Sequence, residues 1–217
     1  MATVDTSLPT EFCWTKFGAE AGDAPAAIRH RKEEERKAGG GLFYWGIGNS
    51  VAPSLRALVQ RDRHPAVVFT PMLSRPSPAD VSPARVVSWR QGFGLDGRAH
   101  RLENGAVTSK GGVRGLPARH FALVCFSEQP VDEDCDPLTF TSGSVENLQT
   151  GTAVGSSQVT SVVRRRAEYA SRGRLYSVAF RARLVEPYFL TLVHSDGPAA
   201  ASHQDQVPTH QRPLLRA

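Results

Sequence analysis

The stretch LFYWGIGNSVAPSLRAL, Leu42 to Leu58, passes from an aromatic run to a helical pattern across two glycines and an Asn-Ser pair. In a strand, Phe43 and Trp45 share one face and Tyr44 the other. Gly46 and Gly48 close the apolar run. Asn49 or Ser50 then stands where an N-cap belongs, ahead of a helix expected over Val51–Gln60. Strand, G-x-G and helix is also how a dinucleotide-binding fingerprint begins. That fingerprint needs a third glycine three residues after the second, and Val51 occupies the position. The next strand, ending near Leu73, lacks the terminal carboxylate that would hold a ribose, and no Gly-Lys-Ser/Thr follows. Both nucleotide-cofactor loops are thereby set aside. Three readings remain for the corner: a helix N-terminus that receives one phosphate, an aromatic wall of a base pocket, or a plain structural turn.

Outward from this corner, strands outnumber helices. Glu11–Gly18 reads as a first strand. Asp23 then caps a helix with Pro25 in its first turn, and Gly39–Gly41 ends it. That helix holds few apolar residues besides Ile28, and Glu33 precedes Lys37 by four positions, the pattern of an exposed helix. Ala66–Leu73 and Ala84–Phe93 read as strands split by a Pro/Ser loop. Gly94–Ala118 reads as a long loop or hairpin. Arg119–Ser127 carries a continuous apolar run, the mark of a buried strand. Gln129–Pro137 reads as an acidic surface connection, and Thr141–Gln158 as a flexible polar stretch with room for one helical turn. Val159–Ala170 fits helix or strand. Gly173–Ser195 reads as two strands joined near Glu186–Pro187. These elements imply an α+β domain over residues 1–195 on a curved or closed sheet, with a disordered tail at 196–217.

Of the 217 residues, 40% are hydrophobic and 22% charged, the composition of a folded chain. The longest apolar runs are too short to span a membrane as a helix, and the N-terminus lacks a signal-peptide pattern, so a cytoplasmic location is expected. Three cysteines, Cys13, Cys125 and Cys135, form no CxxC pair. Cys13 and Cys125 sit in apolar runs and read as buried thiols. A net charge of +5, carried mostly by arginine, favours anionic partners. Seven histidines are scattered without HxH or HExxH spacing, so no metal or other cofactor is expected. No G-x-S-x-G elbow is present.

The aromatic strands point toward bases. Trp14, Trp45 and Trp89 all lie on expected strands, with Lys16 and Arg90 nearby, a combination suited to a stacked or flipped base as well as to a core. Arg164, Arg165 and Arg166, with Arg181 and Arg183, form the densest basic region. On one strand Arg181 and Arg183 would share a face opposite Phe180 and Ala182, a surface suited to backbone phosphates.

The succession CWTK with Glu20, a helix, WGIGNSVAPSLRAL and an apolar strand resembles the EVE domain of the PUA-like superfamily, relatives of which include ASCH and YTH domains. The likeness covers residues 11–93. It departs from the family pattern in that Trp45 directly precedes Gly46, the helix is offset by one residue, and a Gly-Asp turn is missing. The resemblance implies a small, partly closed PUA-like β-barrel with flanking helices that holds a modified base in an aromatic-lined pocket. It would place Trp14 and Lys16 beside that pocket, and Trp45, Gly46, Asn49 and Ser50 in its floor and polar wall. Trp89 is added as a stacking wall from its own chemistry. The function expected is nucleic-acid (DNA or RNA) or nucleotide binding, without catalysis. The alternatives are an enzyme acting on a nucleotide through Lys16 or Glu20, and an interaction module with a basic surface.

Overall fold

The structure, a computed structural model, describes residues 8–18, 25–72, 86–87, 91–101, 109–110, 120–133, 138–155, 158–166 and 173–193. Trp89, Cys135 and the 196–217 tail lie outside them.

The opening corner folds much as its sequence dictates. Strand β2 (Leu42–Ile47) buries Phe43 and Trp45 on one face and turns Tyr44 to the other. A single 3-10 turn (Asn49–Val51) leads into helix α2 (Ala52–Arg61). The helix is not capped by Asn49 or Ser50. Val51 is the N-cap and offers no side-chain acceptor. The 3-10 turn absorbs the Asn-Ser pair, and Pro53, lacking an N–H, reduces what a cap must satisfy.

Around it the described residues are α+β, with one large, mostly antiparallel sheet and two helices. In spatial order the sheet runs β10 (Val145–Asn147), β11 (Thr160–Arg165), β1 (Glu11–Phe17), β3 (Ala66–Pro71), β13 (Phe180–Val193), β8 (His120–Phe126) and β2. The β1–β3 pair is parallel. Strand β13 is longer than its neighbours. Its first half pairs with β3 and its second half with β5 (Gln91–Gly94), which forms a hairpin with β6 (Ala99–Arg101), while β8 flanks both halves. The two C-terminal strands expected around Glu186–Pro187 are thus one strand, with a register shift between Leu184 and Phe189. Gly94–Ala118 contributes the turn and second strand of this hairpin and the short strand β7 (Ser109–Lys110), paired with β4 (Val86–Val87). Within Val159–Ala170, Thr160–Arg165 forms strand β11.

The sheet is strongly curled. Phe17 of β1 and Trp45 of β2 lie four strand steps apart, roughly 19 Å along a flat sheet, yet their ring centroids are 5.5 Å apart. Leu55 and Leu58 of α2 and Ile28 of the first helix fill the concave side, with Phe43, Phe69, Leu123 and Phe180. No pairing joins β2 to β10 among the described residues, so the sheet is not closed into a barrel. The convex side carries a second core, where the ribbon of β9 (Thr139–Thr141) and β12 (Leu175–Ser177) lays Phe140 and Tyr176 on Phe12, Trp14 and Val68.

Helix α1 (Pro25–Ala38) is not the exposed helix its composition suggests, because Arg29, Lys32 and Glu33 are buried. It lies along the edge of β2 that no strand covers among the described residues. There the Lys32 ammonium donates to the Tyr44 carbonyl and the Glu35 carboxylate accepts the Tyr44 N–H, so two side chains replace a strand partner. Glu33 accepts the Val131 N–H, and Arg29 donates to the Val131 carbonyl. Val131 is consequently fully buried within the segment expected at the surface. Residues 141–155 of the stretch expected to be flexible are likewise built into the fold, through a 3-10 turn (Ser142–Ser144), strand β10 and buried Val145 and Val154.

Candidate functional site

The structure divides the expected base pocket between the two faces of the sheet. Trp45 points into the concave core, 5% exposed, with Phe69, Phe17 and Phe180 around it at 4.6, 5.5 and 6.0 Å. Both of its flanks are taken by protein, so it packs rather than stacks on a ligand. Gly46 and Ser50 are exposed. Asn49 opens the 3-10 turn, and its side chain lies outside the described residues, as does Trp89. Trp14 and Lys16 point the other way, into the convex core. Alternation along β1 places them together, and the pairing of β1 with β3 and β11 fixes that face away from Trp45.

On the convex face, the Trp14 indole meets Phe140 and Tyr176 edge-on at 5.1 and 4.8 Å and donates to the Thr70 hydroxyl at 3.0 Å. Lys16 lies at the end of this cluster. Its ammonium is 4.9 Å from the Trp14 ring and 5.6 Å from the Tyr176 ring, and it donates to the Gly155 carbonyl at 3.3 Å. The Arg174 guanidinium approaches the same Tyr176 ring, at 5.6 Å. Burial pulls the Lys16 ammonium below the usual lysine value, and the charge of Arg174 pulls it in the same direction. Lys16 is 3% exposed, whereas Arg174 stands in solvent. The result is a graded site: an inner ammonium, an outer guanidinium and an aromatic ring between them. Negative faces of the rings stabilise both cations, against the repulsion between them. Of these residues, sequence reasoning chose Trp14 and Lys16 but missed Tyr176. The alternation in Arg174–Leu175–Tyr176 puts arginine and tyrosine on one face, but only the fold brings that face to Lys16.

The five arginines do not form one surface. Arg164 reaches the Glu11 carboxylate at 2.9 Å, and Arg61 reaches the same carboxylate at 3.3 Å. Arg165 donates to the Leu8 carbonyl, and Arg166 lies 3.6 Å from Glu146. Arg181 and Arg183 do share the convex face of β13, opposite buried Phe180 and Ala182. They stand three strand steps from β11, roughly 14 Å away, and Arg183 lies over Phe126 with Glu128 at 3.5 Å. Exposed ion pairs of this kind are weak and exchangeable.

Cys13 and Cys125 are buried thiols. Among the described residues no group of three His, Cys, Asp or Glu is placed to hold a metal, and no helix is long and apolar enough to cross a membrane. No family model, curated protein or solved structure matches the chain.

Proposed function

We propose that the protein binds a nucleic acid or a nucleotide and receives an anionic group of it at the Lys16–Arg174 site. The observation that carries the reading is the convergence of two cations on one aromatic ring, each 5.6 Å from the Tyr176 centroid, at the end of the convex core. The chain's net charge of +5 favours an anionic partner at long range. A PUA-like architecture is part of the proposal. It is supported by the strand–helix–strand succession of β1, α1, β2, α2 and β3 and by the curled sheet. Recognition of a modified base belongs to the same reading. With Trp14 and Trp45 both packed into cores, a base would be met on surfaces other than those two rings.

The test is binding of fluorescent single-stranded and duplex DNA and RNA, with and without modified bases, across a salt series. Wild type is compared with Lys16→Met and Arg174→Gln. Removing a cation that pairs with one phosphate should lower the slope of log K against log salt by about 0.7 to 0.9. Trp45→Ala serves as a stability control, expected to weaken folding rather than the salt slope. Absence of binding to every ligand at low salt, or binding indifferent to both cation substitutions, would overturn the reading.

A further inference from the structure

We infer that the Arg183–Phe126 pair, on the convex face of β13 and β8, is a stacking platform for an unpaired base. Granted the binding reading above, the ligand class is then a single strand or an unpaired segment rather than a continuous duplex. Ala66, Arg183 and Phe126 stand in one cross-strand row, with Leu42 paired to Phe126 at its end. Alternation along each strand puts all four on the convex face, opposite the concave core. Over three strand steps the row is roughly 14 Å wide. The β9–β12 ribbon, which buries Phe12 and Val68 on the same face, leaves most of this row open. Ala66 is half-buried, Leu42 is exposed and the Arg183 side chain is 48% exposed.

Both side chains are held in place. The Arg183 guanidinium lies over the Phe126 ring, 4.6 Å from its centroid. The ring is seated against Gly41, where a Cβ would come within 2.6 Å of ring carbon Cε2. Glu128, itself exposed, meets the guanidinium at Nη2, 3.5 Å away, and so orients it without enclosing it. A guanidinium resting on an aromatic ring is weakly hydrated and presents a planar cation on which any base can stack. Arg181, two residues along the same face and roughly 7 Å away, sets a second cation beside the platform, where the backbone of a bound strand would run. Inside a duplex each base is covered on both faces by its neighbours and shows a protein only its edges. A platform of this kind therefore meets a base only after it has left the stack.

The experiment titrates the full chain with a fluorescent single strand, the same strand in a duplex, an abasic strand of equal length, and poly-glutamate. Arg183→Lys keeps the charge and deletes the plane, and Phe126→Leu removes the ring beneath it. Far-UV dichroism checks each variant. Arg183→Lys changes an exposed side chain and keeps the test valid if Phe126→Leu fails to fold. The single strand should bind about five- to hundredfold tighter than either the duplex or the abasic strand, the range for stacking one base. In Arg183→Lys that advantage should fall to about twofold or less. The single strand's slope of log K against log salt, which reports phosphate contacts, should stay as in the wild type. Equal binding of strand, duplex and abasic strand, still weakened by Lys16→Met and Arg174→Gln, would overturn the platform while leaving nucleic-acid binding intact. A single-strand advantage that survives Arg183→Lys would also overturn it. So would poly-glutamate bound as tightly as the single strand, which would assign the surface to an acidic protein. No binding of any nucleic acid would remove both readings together.

Discussion

Replacing Lys32 by methionine keeps the length of the side chain and deletes the charge that holds α1 to the edge of β2. In the wild type the ammonium is 2.7 Å from Glu35, with side-chain exposures of 5% and 10%. At an effective dielectric of about 20, that separation corresponds to a gross attraction of about 6 kcal/mol. Removing two ions from water costs several kcal/mol each, so the intact pair lies near break-even against a neutral substitute. Losing one partner is different. Glu35, mostly shielded from solvent, keeps its charge without the Lys32 ammonium, and the Tyr44 carbonyl loses its Lys32 donor. Together these should destabilise the protein by about 3–5 kcal/mol, a shift of about 10 °C in Tm for a chain of this size. In Lys32→Met/Glu35→Gln both charges are removed together, and the glutamine oxygen can still accept the Tyr44 N–H. That variant should lose no more than about 2 kcal/mol. Urea unfolding followed by tryptophan fluorescence would measure both. A loss below about 1 kcal/mol in the single variant, or a double variant weaker than the single, would refute the assignment of Lys32 and Glu35 as the cover of the β2 edge.

Glu33 should set an acid limit on stability. Its carboxyl is held below the usual glutamate value of 4.5, first by the Arg36 hydrogen bonds, against an opposing effect of burial. Its contribution is therefore complete above pH 4.5 and lost as pH falls through the lowered value. Glu33→Gln should flatten that part of a Tm-against-pH curve, and an unchanged acid limb would contradict this. Cys13 is fully buried, and burial pushes its thiol up to about 12; Cys125 moves in the same direction. Iodoacetamide at neutral pH should label neither until denaturant is added, as peptide mass spectrometry would show, and native labelling of either would refute their burial. Gly173 has φ +123°, and a Cβ there would meet the Gly143 backbone nitrogen at 2.8 Å. Gly173→Ala should destabilise the protein by about 1–3 kcal/mol and, by shifting Arg174, weaken anion binding beyond the loss of stability. Unchanged binding would separate the ribbon from the site.

Residues 42–61 show what local chemistry controls. The alternation of Phe43, Tyr44 and Trp45, the two glycines and the following helical pattern place strand and helix within one or two residues. The continuous apolar run of His120–Phe126 identifies a buried strand in the same way. Such signals act over a few residues, where backbone geometry and side-chain period suffice. The site was less legible. Trp14 and Trp45 lie on similar strands and invite one pocket, but strand order and pairing put them on opposite faces, and no local feature encodes which strands become neighbours.

The sequence by itself therefore determined the α+β class, the periods of its strands, the buried thiols and the basic field that favours anions. Only the tertiary structure decided that the sheet curls without closing and that α1, charged along its length, buries one charged face against β2. It also decided that Lys16 meets Arg174 across Tyr176. The physical reason is shared by all three. Burial of a charge, like the facing of a side chain, depends on partners distant in the chain, and Lys32 finds Tyr44, as Lys16 finds Gly155 and Tyr176, only when the strands have paired.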